Sequence, residues 1–220
     1  MFEWLKKLGD ESTEIRRIAS SFRDMLTRGR RIYELASDAA LGAATPEAVR
    51  KEIFETDVQI NRLEQAIRRE LVVHASVHGS AVVPGCLVLM SIAKDAERIG
   101  DYAKNIFDLS VRRPILPGDT THAELLGLRA ELDAVLGEVP TVHQAANRDS
   151  AKALLRRAEA LEDRCDKLVD ELLDGTRGTP GEGVAAALLA RYFKRTAAHA
   201  KNVVSSVVMP VDKLDFFDER

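Results

Sequence analysis

Glu97-Arg98-Ile99-Gly100-Asp101-Tyr102-Ala103-Lys104-Asn105-Ile106 carries two helical periodicities side by side. Ile92, Ala96, Ile99, Ala103 and Ile106 recur at steps of three and four, which places them on one apolar seam. Glu97 and Asp101 stand four apart and so share the adjacent face, with Lys94 and Asn105 extending that polar stripe in either direction. A helix built this way packs into a bundle and still offers carboxylate oxygens to a cation.

The sequence on either side repeats the helical pattern. A first helix is expected from about Glu11 to Leu41, with Ile15, Ile18, Phe22, Met25, Ile32 and Leu35 on one face. Gly42 and Thr45-Pro46 close it and open a second, which runs to about Val77 over Ile53, Ile60, Leu63, Ile67 and Leu71. Gly79 and Pro84-Gly85 read as a turn, and the third helix follows from Cys86 to Val111. After Pro114, Pro117 and Gly118, a fourth helix is expected over Thr121–Gln144, with a stop or kink near Val139 because Pro140 follows. A fifth covers Asp149–Leu173. The glycine-rich stretch Gly175–Gly183 reads as a loop before a sixth helix, Val184–Val208.

Composition agrees with an all-α chain: of 220 residues, 45% are hydrophobic and only 5% aromatic, and Ala, Leu, Glu, Arg and Lys dominate. A net charge of -3 argues against a nucleic-acid partner. The basic group Arg28, Arg30 and Arg31 reads as a solvated helix face. Cys86 and Cys165 lie far apart without metal-binding spacing and read as small hydrophobes. No apolar run approaches the ~20 residues of a membrane span, and the opening Met1–Leu8 is too short for a signal peptide. The expected location is therefore cytoplasmic.

The two halves repeat one another. Ala103-Lys104-Asn105-Ile106 returns as Ala200-Lys201-Asn202-Val203, and Asp57–Leu63 matches Glu162–Leu168. The two offsets differ, a difference absorbed if the loop near Gly175 is shorter than the one near Gly79. The expected fold is two tandem three-helix bundles with antiparallel neighbours, over residues 1–113 and 119–210, followed by a tail at 211–220. Asp57 and Asn61, also four apart, can face Glu97 and Asp101 across the interface of helices two and three. Together they form a hard-oxygen set suited to Mg, Mn or Fe.

Other candidates are weaker. His74 and His78 have the spacing of a zinc clamp, but the sequence shows no third ligand, and their place at a helix end suits interaction with its last carbonyls. Neither a di-iron Glu-x-x-His pair nor a P-loop nor a Gly-x-Ser-x-Gly elbow is present. Phe2, Trp4, Leu5 and Leu8 beside Lys6 and Lys7 form a short amphipathic start that packs on its own bundle or docks on a membrane protein. Phe216 and Phe217 place the tail across a neighbouring helix or a second subunit, which admits a homodimer.

The Glu97-x-x-x-Asp101 helix and the Asp57-x-x-Ile60-Asn61-x-Leu63 segment resemble the PhoU family of phosphate-signalling regulators, and the likeness covers nearly the whole chain. The resemblance implies two three-helix bundles side by side and, in some members, iron or another divalent metal held by the paired carboxylates. It also implies a non-enzymatic role in restraining phosphate uptake through contact with a phosphate transporter and its membrane histidine kinase. On that pattern Glu97, Asp101, Asp57 and Asn61 form the metal site. The second half is degenerate: Glu162 and Asp166 persist, but Lys194 and Ala198 replace the other pair. A lysine facing two carboxylates reads as an ion pair, so metal is expected in the first half alone. A metal-dependent enzyme using the same carboxylates and a generic helical scaffold are the alternatives.

Overall fold

The structure, a computed structural model, describes residues 13–214. The amphipathic start and Phe216–Phe217 lie outside the described residues. Six long helices account for most of the chain: α1 (Thr13–Ala40), α2 (Pro46–His78), α3 (Val83–Arg112), α4 (His122–Ala145), α5 (Arg148–Leu173) and α6 (Pro180–Ser205). A 3-10 turn at Val211–Lys213 follows. Among the described residues the only β pairing is an isolated bridge between Pro117 and Asp119.

Helices α1, α2 and α3 pack on one another, as do α4, α5 and α6. The two bundles then join side by side through α3 against α6 and α1 against α4. The seam Ile92, Ala96, Ile99, Ala103 and Ile106 is buried throughout. So are Ile15, Ile18, Phe22, Met25 and Ile32 on α1 and Leu125, Leu128, Leu132, Val135 and Leu136 on α4. Gly29 and Gly100 let α1, α2 and α3 approach closely, since a Cβ at Gly29 would lie 3.2 Å from Ile99 and one at Gly100 3.3 Å from Ile60.

One hydrophobic core runs through both bundles. Tyr33 meets Phe193 edge-on at 5.8 Å and donates its hydroxyl to the Arg129 carbonyl. Arg30 grips Asp133 with two bonds of 2.9 and 3.0 Å and holds that carboxyl below its ordinary range. Arg129 pairs with Asp38 at 2.7 Å. The Arg28, Arg30 and Arg31 group is therefore more than a solvated face: Arg30 joins the bundles, while Arg31 bonds Glu52 on α2.

Several helix limits differ from the sequence expectation. Pro84 and Gly85 lie in the first turn of α3, because a proline there lacks only an N–H that has no intrahelical partner anyway. Helix α4 runs on through Pro140, since buried Leu136, Val139, Val142 and His143 hold both sides of the missing bond in the core. Residues 180–183 belong to α6, whose start is set by a capping box between Thr179 and Glu182. Asn147 caps α5 by accepting from the backbone N–H groups of Asp149 and Ser150.

The difference between the repeat offsets also has another origin than loop length. Helix α2 continues from Asp57 to His78, roughly six turns, whereas α5 stops at Leu173, roughly three turns beyond Glu162. Beyond the matched residue α5 is thus the shorter by roughly three turns, and the loop after it is the longer of the two.

Candidate functional site

The polar stripe of α3 meets α2 where Asp57 is buried. Lys104 places its ammonium between two carboxylates, 3.0 Å from Asp57 Oδ2 and 3.1 Å from Asp101 Oδ1. Asn61 donates to Asp57 at 3.3 Å, and Arg98 bonds Asp101 at 3.2 Å. Lys94 holds Glu97 at 2.5 Å. Thus Asp57, Asn61 and Asp101 come together around Lys104, while Glu97 pairs one turn away.

Asn105 is exposed and takes no part in this cluster. Steps of four drift around a helix by about 40° each, so two of them carry Asn105 away from the face of Glu97. Lys104, seven positions on, stays within about 20° of it. Sequence reasoning extended the stripe by the wrong residue; the recurrence of Lys104 as Lys201 was the available signal.

Electrostatics follow burial and charge. Burial pushes the Glu97 carboxyl above its ordinary range; the Lys94 bond opposes this, and the negative charges of Asp101 and Glu64 add to the rise. Burial works against the Lys104 ammonium, yet its hydrogen bonds to Asp57 and Asp101 raise its pKa on balance. Glu64, also buried, is paired with Arg68 at 2.9 Å. Each carboxylate in the cluster therefore has a basic side chain beside it.

The second half repeats the central pair. Lys201 reaches Glu162 at 3.1 Å, as Lys104 reaches Asp57, and Lys194 pairs with Asp166. Ala198 offers no oxygen where the first half has Asp101. The sequence foresaw the Lys194 ion pair and the recurrence of Lys104 as Lys201, but not that Lys104 and Lys201 each pair with the carboxylate of the neighbouring helix. The donor set of the first half suits a hard cation, and a metal there would have to displace the ammonium of Lys104.

Between the bundles, Asp95 on α3 is bonded by His199 at 2.8 Å and Asn202 at 3.0 Å, both from α6. Tyr102 stacks on His199 and accepts from Arg195 at 3.2 Å. A cleft of about 520 Å³ lies beside the end of α5, lined by Leu172, Leu173, Arg177, Val184 and Leu188 among others. It is remote from the carboxylate cluster in sequence and shares no residue with it. Cys86 and Cys165 are both free and buried, and burial pushes the Cys165 thiol up to about 12.

Fold and site together define an all-α protein of two tandem three-helix bundles, each with a lysine set into a carboxylate-bearing helix pair. Residues 22–109, within the first bundle, match the family model of the PhoU domain. A phosphate-specific transport system accessory protein PhoU homolog from Synechocystis sp. is 21% identical over 159 residues, spanning 70% of this chain and 71% of that protein. The fold likeness continues through the second bundle. PhoU from Pseudomonas aeruginosa superposes with a TM-score of 0.75 at 19% identity, over 89% of this chain and 95% of that one. The phosphate transport system regulatory protein PhoU from Streptococcus pneumoniae gives 0.72 at 16% identity over the same shares.

Proposed function

We propose that this chain is a cytoplasmic, non-enzymatic regulator of phosphate uptake and phosphate-responsive signalling. It acts by protein contact with a phosphate transporter, a membrane sensor histidine kinase, or both. The observation that carries this reading is the match of residues 22–109 to the PhoU domain in a chain of which 89% superposes on PhoU structures. The mechanism is differential binding: helix faces favour one state of the partner and shift its population. Among the described residues no helix is long and apolar enough to cross a membrane. Val72, Val73 and Val77 on α2 each expose more than half of their surface and supply an apolar face for such contact.

The same reading includes a divalent or iron-type cation at Glu97, Asp101, Asp57 and Asn61, bound in competition with Lys104 and Lys94. Metal would neutralise the carboxylates as the lysines do now and free those lysines to move. Metal content of purified Lys104→Ala protein is expected to exceed that of the native chain, and Glu97→Ala to fall below it. Equal content in all three would rule the cation site out.

Capture of the chain from solubilised membranes, at high and at low phosphate, tests the partner. Recovery of a phosphate transporter or sensor kinase in a phosphate-dependent ratio is expected. Recovery of neither would leave a generic helical scaffold as the better description.

A further inference from the structure

The end of α2 that has no counterpart in α5 carries His74 and His78. His74 is 1% exposed, and its Nδ1 lies 3.3 Å from Oε2 of Glu14 in the first turn of α1. His78 sits one turn further on, its ring centroid 4.2 Å from that of His74. One ligand atom from each of Glu14, His74 and His78 falls within 4.8 Å of the other two. The third ligand that the sequence alone did not reveal is thus supplied by another helix, sixty residues away in the chain.

We propose that Glu14, His74 and His78 form a binding site for a zinc-class divalent metal, clamping the first turn of α1 to the last turn of α2. The first support is chemical. Two imidazoles and a carboxylate are borderline donors that suit Zn²⁺ and its neighbours Co²⁺ and Ni²⁺ better than Mg²⁺ or Ca²⁺. Three protein ligands leave a fourth position for water. The second support is His74 itself: it is 1% exposed, so the fold fixes its ring with Nδ1 towards Glu14.

The geometry requires only a small closure. Metal bonds of about 2.0–2.2 Å set tetrahedral ligand atoms about 3.4 Å apart. Glu14 and His78 are both exposed, so their rotamers can close the remaining distance around a fixed His74. Arg17, on the same face of α1, is already held by Glu70 at 3.2 Å and does not occupy Glu14. The site shares no residue with the Asp57–Glu97–Asp101 cluster, and nothing in it depends on the phosphate reading.

Co²⁺ titration of the full, tag-free chain tests the site, read by the visible absorption of tetrahedral cobalt and its loss on adding Zn²⁺. One equivalent is expected. His78→Ala and Glu14→Gln change exposed side chains and keep the fold. Each should weaken Co²⁺ binding by at least about tenfold, the loss that even outer-shell changes cause. Glu97→Gln should leave the titration unchanged. Zn²⁺ should also raise the unfolding temperature of the native chain and not that of His78→Ala. Absence of the cobalt band, binding untouched by His78→Ala, or binding abolished by Glu97→Gln would each overturn the assignment.

Discussion

At Lys201 only 6% of the residue reaches solvent, and its ammonium rests 3.1 Å from Glu162. Removing one partner of a buried ion pair leaves the other charge without compensation, at a cost of about 3–5 kcal/mol. Lys201→Met should therefore destabilise the protein to urea by several kcal/mol. Lys104→Met, at a site with a quarter of the lysine side chain exposed, should cost clearly less. Equal losses would mean that the two lysines are not graded by burial. His143 provides a second residue-level test. Burial lowers its pKa to about 4, against about 6.5 for the free side chain. Between those values the unfolded chain binds a proton that the native state refuses. Its contribution is thus fully present above pH 6.5 and is lost by about 1.4 kcal/mol per pH unit as the pH falls towards 4. NMR of the imidazole should show His143 still neutral at pH 5; titration near 6.5 would contradict its burial against Phe22.

The helices show how much of the fold the sequence disclosed. Six helices, their buried faces and most ends follow from periodicity and punctuation, because burial of an amphipathic face is a local pattern. Pro140 does not stop α4, because tertiary packing decides whether a helix survives a proline, and Leu136, Val139 and Val142 are buried around it. Pro140→Ala should restore the bond to the Leu136 carbonyl and stabilise the fold by about 1–3 kcal/mol, read as a higher urea midpoint. A lower midpoint would show that α4 needs its proline geometry. The site was legible to the same degree. Spacing gave Asp57, Asn61, Glu97 and Asp101, but which cation sits among them depends on how α2 meets α3, which no single helix encodes. Glu14 beside His74 was hidden for the same reason: one helix presents the histidines and another the carboxylate.

Over the whole molecule, the two bundles follow one plan with marked asymmetries. Both bundles keep a lysine against the carboxylate of the neighbouring helix, at Asp57 and at Glu162. Only the first keeps Asp101 beside that lysine and the full length of its second helix. The shared core, Tyr33 against Phe193 and Arg30 on Asp133 make the pair of bundles a single body to present to a partner. Phosphate restraint is the claim on which the functional reading stands. Uptake of labelled phosphate by phosphate-replete cells, with the chain present and with it deleted, measures it directly. Deletion is expected to raise uptake, and restoring the chain to bring it back down. Unchanged uptake on deletion, with the partner transporter expressed, would contradict a role in phosphate control.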